Sequence, residues 1–340
     1  MSDLDLSVVI CTHNRADSLR ETLEALLRAD DAGVAYEVIV VDNGSTDRTP
    51  AVVDSFRARL AVRYLYEPVV AEGGKGRSLN RALESGSLGR IVAVIDDDIS
   101  VDPGWHKSAL AICGRWPDYD FFAGPIRIDR PPETLPRWIL DPPIKGWMLA
   151  VLDHGPRDVP LRDGGAFAGG HFWFRSSVLT DDIRFEEIWF TEPPFYNLLL
   201  ERGHKGMYGP DASAVHRFQN HLLDPDLAIK RARETGISAA RMRLQPYRHC
   251  IKAARLCHRY PLLARLFCAA QVVRWGAVRL SCLFGTGDSR IRRRILAAQG
   301  ISYYSEVLRL CSSIEDYRVF GRRRASTDSN QPSKGTMSAD

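Results

Sequence analysis

Short apolar runs alternate with amphipathic stretches through the first hundred residues of the chain, and this alternation limits the fold more than any other feature. The runs are rich in Val and Ile, a composition typical of strands that are buried on both faces. They occupy 6–12, 36–42, 62–67 and 90–96. Between them, apolar residues recur at helical spacing, in stretches that occupy 15–28, 47–60 and 78–85. The alternation predicts an α/β fold with a doubly wound, mainly parallel, Rossmann-like sheet.

Polar residues stand where the predicted strands end. Thr12, Asp42, Glu67 and Asp96 each close an apolar run. Open α/β sheets bind their ligands in the crevice outside the carboxyl ends of the strands. The sequence therefore predicts a ligand site at this edge of the sheet.

Three consecutive carboxylates, Asp96, Asp97 and Asp98, follow the fourth apolar run. Adjacent like charges are costly unless water or a cation offsets them, so the cluster favours a hard divalent ion. Mg²⁺ or Mn²⁺ bridging a diphosphate fits this position. A solvated turn or a helix cap is the alternative interpretation of the same residues.

Four motifs occur in a fixed order over 6–98. The first is Thr12-His-Asn-Arg, and the second is Asp42-Asn-Gly-Ser-Thr-Asp after the next predicted strand. A segment rich in Gly and Lys, at 73–83, and the Asp cluster complete the set. Together they resemble the opening of the family 2 glycosyltransferases, inverting enzymes of the GT-A fold that use sugar nucleotides. The glycine spacings of a dinucleotide-binding turn and of a P-loop are both absent from the sequence.

The resemblance implies a role for most of these residues. Asp42 would contact the base of the nucleotide, Asp96 would touch the ribose side, and Asp98 would hold the metal. Lys75 or Arg77 would offset the charge that builds on the leaving diphosphate. The full donor-binding set is Thr12, Asn14, Arg15, Asp42, Ser45, Lys75, Arg77, Asp96 and Asp97, and the metal set is Asp98, Asp96 and His216.

Two later segments, 169–175 and 185–203, resemble the acceptor-binding half of the family more loosely. A third, 211–216, is similar to the last strand of the family, which ends in a metal-binding His. The family commonly carries Glu-Asp ahead of a helix, with a carboxylate that deprotonates the acceptor, but here Pro193 follows Glu192. Glu192 is the first candidate for the catalytic base and Glu187 the second. The alternatives are a helix-capping role for Glu192 and an ordinary core or surface position for His216.

The strand–helix alternation stops after Asp98. A strand is predicted at 121–128, a long loop rich in Pro and Trp at 131–160, and mainly helices at 226–320. We expect a GT-A catalytic domain at 1–222, with a nucleotide-sugar-binding half at 1–100 and an acceptor-side half at 101–222. A basic helical extension at 223–320 and a disordered tail at 321–340 follow.

Charge is divided unevenly along the chain. Residues 217–340 carry 23 Lys and Arg against 9 Asp and Glu, whereas residues 1–216 carry 23 against 33. A basic end suits an anionic membrane surface. The apolar stretch 262–284 contains three arginines and is not expected to span a membrane. A helix lying in the surface of an anionic membrane and a helix packed on the catalytic domain are equal alternatives. No nucleic acid partner is expected, since no known binding module occurs.

The predicted location is the cytoplasm, with peripheral contact at the inner face of the membrane as an open alternative. Seven cysteines without a C-x-x-C pair indicate reduced thiols, and no signal peptide is expected at the opening residues. The predicted function is transfer of a sugar from a nucleoside-diphosphate sugar to a hydroxyl of a glycan or lipid-linked acceptor, in bacterial surface polysaccharide or glycoconjugate synthesis. A non-catalytic sugar-nucleotide-binding protein and a nucleotidyltransferase are the alternatives.

Overall fold

The computed structural model of the protein describes residues 4–29, 33–68, 74–161, 169–187, 191–244, 261–282 and 287–312. The first hundred residues follow the predicted alternation. Their elements are β1 (Leu6–Thr12), α1 (Ala16–Arg28), β2 (Tyr36–Asp42), α2 (Thr49–Phe56), β3 (Val62–Tyr66), α3 (Gly74–Leu83) and β4 (Ile91–Ile95).

The next part of the chain is built from shorter elements. These are β5 (Ile99–Val101), α4 (Trp105–Arg115), β6 (Phe121–Ala123), β7 (Ile126–Ile128), α5 (Pro142–Leu149), β8 (Val159–Leu161), β9 (His171–Arg175), α6 (Glu192–Glu201), β10 (Gly206–Tyr208) and β11 (Ala214–His216). The described chain then ends with the long helices α7 (Pro225–Leu244), α8 (Pro261–Ser281) and α9 (Gly287–Ser312). The predicted helical C-terminal region is thereby confirmed.

A sheet of eight strands forms the centre of the fold, in the order β3-β2-β1-β4-β9-β6-β10-β8. The first four strands in this order run parallel, and β9 joins β4 in the antiparallel sense. Val8, Val40 and Val94 show why the apolar runs form central strands, since each is at most 1% exposed. The predicted α/β class with a mainly parallel sheet is confirmed.

The register of the parallel strands gathers the polar residues at one edge. Thr12 of β1 pairs with Asp42 of β2, and Asp42 pairs with Tyr66 of β3. Because the strands are parallel, their carboxyl ends meet at the same edge of the sheet. The predicted gathering of polar residues at one edge of the sheet is therefore present, and ligand binding at this edge stays a prediction.

A smaller sheet, in the order β5-β11-β7, stands beside this edge. His216 of β11 pairs with Ile99 of β5 in antiparallel register. The pairing brings His216 next to Asp98, although the two residues are far apart in the sequence.

The single strand predicted at 121–128 is wrong, because the chain forms two strands there that belong to different sheets. The break falls at Gly124 and Pro125. A Cβ atom at Gly124 would lie 1.9 Å from the carbonyl oxygen of Ala212, so only glycine permits this close approach. Proline cannot donate to a strand ladder, which ends the first strand.

The loop predicted at 131–160 is also wrong in part, since it contains the helix α5. Pro142 and Pro143 stand in the first turn of α5, where a missing N–H costs nothing. Ile144, Met148 and Leu149 of this helix are buried.

The helix α5 shares a hydrophobic cluster with α7 and α9. This cluster contains Leu135, Trp138, Ile139, Ile144, Met148, Leu149, Leu222, Ala228, Ala232, Ile295 and Ala298. Residues on both sides of the predicted boundary at 222 therefore pack together, and the boundary itself stays a prediction. The predicted tail at 321–340 lies outside the described residues. Within the described part of the chain, none of the helices is both long and apolar enough to cross a membrane.

Candidate active site

Asp97 and Asp98, which follow β4, are held by residues at the end of β1 and just after it. The Thr12 hydroxyl donates a hydrogen bond of 2.7 Å to Asp97 Oδ2. The Arg15 guanidinium reaches both neighbours, with Nη1 at 2.6 Å from Asp97 Oδ1 and Nη2 at 2.9 Å from Asp98 Oδ2. The structure thus brings together two of the predicted nucleotide-binding residues and the Asp cluster.

Asp97 and Asp98 are both buried, but their different partners give them different acidities. Asp97 is 3% exposed, and this burial raises the pKa of its carboxyl to about 7 although Arg15 opposes the change. Burial would also raise the pKa of Asp98, but the hydrogen bond from His216 and the charge of Arg15 hold it well below its ordinary value. Asp98 is therefore the carboxylate that keeps its negative charge.

His216 is oriented in the way that metal-binding histidines are. Its Nδ1 lies 2.7 Å from the carbonyl oxygen of Leu149, which can only accept, so Nδ1 is the donor. Nε2 then points at Asp98 Oδ2 from 3.3 Å. In the neutral ring both of these atoms are acceptors, so a proton or a cation has to offset their repulsion. Burial lowers the pKa of His216, but Asp98 more than compensates and raises it.

Lys75 links the aspartates to the acceptor side. Its Nζ lies 2.5 Å from Asp96 Oδ1 and 3.2 Å from the carbonyl oxygen of Gly169, and it forms a second ion pair with Glu192. Burial lowers the pKa of Lys75, but the two carboxylates outweigh this effect and raise it. The helix α3 begins at Gly74, earlier than the predicted position 78, and places Lys75 in its first turn.

Glu192, the first candidate base, is buried at the start of α6 and only 4% exposed. Two glycines make room for this arrangement. A Cβ atom at Gly169 would lie 2.6 Å from the Glu192 carboxyl carbon, and one at Gly170 would lie 2.7 Å from Asp96 Oδ2. Glu187, the second candidate, is exposed, and among the described residues it makes no contact with the aspartates.

The loops after β1 and β2 are joined by hydrogen bonds. The Ser45 hydroxyl accepts from the backbone N–H of Asn14 at 2.9 Å, and Asn14 Oδ1 accepts from the N–H of Thr46 at 2.7 Å. Asp42 is fully buried and accepts from the Ser45 N–H at 2.7 Å and from the Tyr64 hydroxyl at 2.6 Å. Both carboxylate oxygens of Asp42 thus already have partners.

Arg77 lies apart from the aspartates in this structure. Its Nε is 3.2 Å from Glu67 Oε2, beyond the end of β3. The cations expected to face the diphosphate, Lys75 and Arg77, are therefore both paired with carboxylates.

Arg217 was not among the predicted site residues, although it supports the aspartates. Its Nη2 donates to the carbonyl oxygen of Asp97 at 2.8 Å, its Nη1 donates to Ser100 Oγ at 2.6 Å, and its Nε pairs with Glu21 at 3.0 Å. A buried arginine beside the predicted metal-binding His was a usable signal, but its partners on α1 could not be read from spacing.

A cavity of about 600 Å³ opens beside the N-terminus of α1. It is lined by Asn14, Arg15, Ala16, Asp17, Ser18, Glu21, Asp47, Arg48, Asp129, Arg217, Phe218 and Gln219. Neither Asp96 nor Glu192 lines it, so it touches the candidate site only through the residues after β1 and through Arg217. The geometry of the Asp cluster, rather than this cavity, defines the candidate active site.

The sequence model of the glycosyl transferase family 2 matches residues 7–181, slightly more than half of the chain. The chain belongs to glycosyl transferase family 2. This confirms the resemblance seen in the four motifs and the predicted enzyme class. The match includes β1 to β4 and the Asp cluster but ends before Glu192 and His216.

Curated relatives of this family 2 member are glycosyltransferases. Validoxylamine A glucosyltransferase of Streptomyces hygroscopicus subsp. jinggangensis is 38% identical over 107 residues, which are 31% of this chain and 25% of that protein. Poly(ribitol-phosphate) β-N-acetylglucosaminyltransferase TarS of Staphylococcus aureus (strain Mu50) is 31% identical over 108 residues, 32% of this chain and 18% of that protein. Each match thus spans a quarter or less of the relative.

Solved structures support the fold of the family 2 member over nearly its whole length. S. aureus TarS 1–349 in complex with UDP superposes with a TM-score of 0.52 at 18% identity, covering 93% of this chain and 92% of that one. Mannosyltransferase PcManGT from Pyrobaculum calidifontis, in complex with GDP-Man and Mn²⁺, gives a TM-score of 0.50 at 17% identity, covering 96% and 81%. The GT-A type of sheet predicted from the sequence is confirmed.

Proposed function

We propose that this family 2 member transfers a sugar from a nucleoside-diphosphate sugar to an acceptor hydroxyl, with inversion at the anomeric carbon. One observation carries the proposal: Lys75 holds Asp96, on the donor side, and Glu192, on the acceptor side, around one ammonium group. A displacement needs both sides at one reacting carbon. The names of the curated relatives, a glucosyltransferase and an N-acetylglucosaminyltransferase, support the reaction class.

A divalent metal, Mg²⁺ or Mn²⁺, fits the chemistry of this site. Among the described residues, no three His, Cys, Asp or Glu side chains form a ready-made cage. Mg²⁺ is commonly held by one or two carboxylates together with substrate phosphates, so a complete protein cage is not required. Asp98 and His216 are the first ligands we propose, since Nε2 and Oδ2 face each other at 3.3 Å, a contact that needs either a proton on Nε2 or a cation, and Asp96 is the third.

When bound, such an ion supplies positive charge against the leaving diphosphate. The residues of the chain account for the other steps. Glu192 accepts the proton of the acceptor hydroxyl, whose oxygen forms a bond to the anomeric carbon. The bond from that carbon to the diphosphate breaks, and its electron pair leaves with the diphosphate. The ion pair with Lys75 holds the Glu192 carboxylate in place at the start of α6.

The two candidate bases allow a matched test. We expect Glu192→Gln to lower the rate of sugar transfer by about 10²- to 10⁴-fold, the usual contribution of a general base. Because Glu192 also pairs with Lys75 of the predicted donor-binding set, donor affinity is measured separately, and the loss should fall mainly on the rate of transfer. Glu187→Gln makes the same chemical change at an exposed position and should keep most of the activity. Equal losses in the two variants, or a loss in Glu187→Gln alone, would reject Glu192 as the base.

The same assay separates the two alternative functions. A non-catalytic binder would bind sugar nucleotides without releasing a nucleoside diphosphate. A nucleotidyltransferase would instead release pyrophosphate from a nucleoside triphosphate. The family favours neither, and the pairing of Glu192 with the Asp cluster favours transfer.

We further propose that the protein works at the inner face of a membrane, on a glycan or lipid-linked acceptor of surface polysaccharide or glycoconjugate synthesis. The outward face of α8 is apolar and exposed. Leu262, Leu263, Leu266, Phe267, Val273 and Leu280 are each 56–73% exposed. The charged residues of α8 are all arginines, Arg265, Arg274 and Arg279. An apolar face with arginines suits the surface of an anionic membrane.

A further inference from the structure

The cations around the Asp cluster are almost all neutralised by carboxylates. Arg15 pairs with Asp97 and Asp98, and Lys75 pairs with Asp96 and Glu192. A bound sugar nucleotide adds the negative charges of a diphosphate. Phosphate oxygens are bound best by cations that are not already committed, and arginine is especially suited to them.

Arg231 of α7 is the exception. Its Nη1 lies 3.3 Å from the carbonyl oxygen of Trp147 and 3.5 Å from that of Met148, distances at or beyond the limit of a good hydrogen bond. No carboxylate of the described residues lies within ion-pair distance of it, and its Nε and Nη2 donate to none of them. The guanidinium is half-buried all the same. A half-buried, unpaired cation is costly unless an anion joins it.

The position of Arg231 is close to the metal-binding candidates. The carbonyl groups that it contacts, those of Trp147 and Met148, precede the Leu149 carbonyl that anchors His216 at the end of α5. Burial lowers the pKa of Arg231, Asp98 raises it, and Arg15 lowers it. These three groups therefore lie within electrostatic reach of one another.

His221 belongs to the same cluster. Burial lowers the pKa of His221, and Arg15 and Arg231 lower it further, against Asp98. Arg15 thus contacts Asp98 directly at 2.9 Å, and the charge of Asp98 also acts on His221 and Arg231. Basic groups that repel one another around a common space favour an anion there.

We propose that Arg231, from the helical extension, binds the diphosphate of the sugar nucleotide. The inference rests on the proposed function, because it assumes that the Asp cluster is the donor site. Among the described residues, Nε and Nη2 of Arg231 have no hydrogen-bond acceptor, so they can form the paired hydrogen bonds that guanidinium makes with phosphate oxygens. The helical extension would then complete the donor site, in addition to packing against it.

The test compares nucleotides with and without phosphates. The dissociation constants of UDP, GDP, uridine and guanosine would be measured with Mn²⁺ for the wild type, Arg231→Gln, Arg231→Lys and Arg233→Gln. Arg233 is exposed on the same helix and serves as the matched control. We expect Arg231→Gln to weaken the preferred nucleoside diphosphate about ten- to a hundredfold, the size of charge-assisted hydrogen bonds, with the matching nucleoside unchanged. Arg231→Lys should restore part of the affinity, and Arg233→Gln should resemble the wild type.

Arg231 could instead affect nucleotide binding only indirectly, by positioning α5 and His216. A double variant distinguishes this indirect role from direct contact with the diphosphate. If Arg231 contacts the diphosphate itself, its loss weakens binding further in a His216→Gln background. No further loss in that background, or wild-type affinity in Arg231→Gln, would overturn the inference. Failure of the wild type to bind either nucleoside diphosphate would instead overturn the proposed function, and this inference with it.

Discussion

Lys75 neutralises two carboxylates of the candidate site, those of Asp96 and Glu192. Its ammonium contacts Asp96 and the buried Glu192, so Lys75→Gln would leave two negative groups facing each other. Breaking a buried ion pair from one side costs about 3–5 kcal/mol, and the partial exposure of Lys75 reduces this. We expect the free energy of unfolding to fall by about 2–4 kcal/mol in denaturant titrations.

Two variants control this prediction. Arg77→Gln removes a more exposed ion pair of the same helix and should cost less than about 1 kcal/mol. The double variant Lys75→Gln/Glu192→Gln removes the unpaired buried charge as well and should recover much of the loss. A double variant that is less stable than Lys75→Gln alone would show that Lys75 does not serve to neutralise Glu192.

His171 makes the stability of the protein dependent on pH. Its Nε2 accepts a hydrogen bond of 2.7 Å from Trp105, and burial lowers the pKa of the ring to about 4. The unfolded chain binds a proton near pH 6.5, so stability is complete above that pH and is lost as the pH falls towards 4. We expect a loss of up to about 3 kcal/mol over this interval.

Unfolding titrations between pH 4 and 7 on the wild type and His171→Gln measure this effect. The glutamine can still accept from Trp105 but does not titrate. The variant should show a smaller decline in stability over this range. Equal declines in the two proteins would assign the effect to other groups.

At this scale, the sequence predicted the residues that end strands and missed those whose partners lie on distant elements. Thr12, Asp42 and Asp96 follow apolar runs, so their shared edge could be predicted from the fold class alone. Arg217 and Arg231 could not, because their roles depend on how β11 and α7 pack against the rest of the chain. The link between Lys75 and Glu192 likewise required the packing of α3 against α6.

The helix α8 has an exposed apolar surface that no described part of the chain covers. Its opposite face packs on α9, while Leu266 and Phe267 are 60% and 56% exposed. Burying one such side chain in a bilayer surface contributes about 1.5–3 kcal/mol. We expect Leu263→Glu/Leu266→Glu, at positions 63% and 60% exposed, to weaken binding to vesicles that contain phosphatidylglycerol by more than tenfold, with an unchanged melting temperature.

Sedimentation with vesicles measures this binding. Ala51→Glu adds a negative charge to the exposed side of α2 and is the control, which should bind as the wild type does. Binding should also weaken as salt is raised, since Arg274 and Arg279 contribute through charge. If the wild-type protein does not sediment with the vesicles and instead forms a dimer through α8, the proposed membrane contact is wrong.

The bounds of helices and strands were predicted well in the first hundred residues, where strands and helices alternate. They were predicted less well where the chain passes from one sheet to the other. The strands β1 to β4 lie within a residue of the predicted bounds. The break between β6 and β7 depends on the contact of Gly124 with Ala212, which no local pattern contains, although Gly-Pro is a turn signal in itself. The helix α5 was hidden by a high proline content, because prolines at a helix start resemble those of a loop.

Two large hydrophobic clusters contain most of the buried apolar side chains of the described residues. The first fills the sheet, and the second joins α5 to α7 and α9. Since α5 anchors His216 through Leu149, the helical extension stabilises the candidate metal site as well as its own helices. The acidic residues 1–216 and the basic residues 217–340 thus both contribute to the structure around the candidate metal site.

We propose above all that the Asp cluster binds a sugar nucleotide with a divalent metal. The most direct measurement is a screen of UDP-, GDP- and dTDP-sugars by thermal shift and nucleoside diphosphate release, with and without Mn²⁺. It would be made on the wild type, Asp98→Ala and the exposed control Asp118→Ala. We predict metal-dependent stabilisation and slow release with one donor, both kept in Asp118→Ala and lost in Asp98→Ala. Absence of binding to every donor under either condition, or binding that survives Asp98→Ala unchanged, would contradict the account.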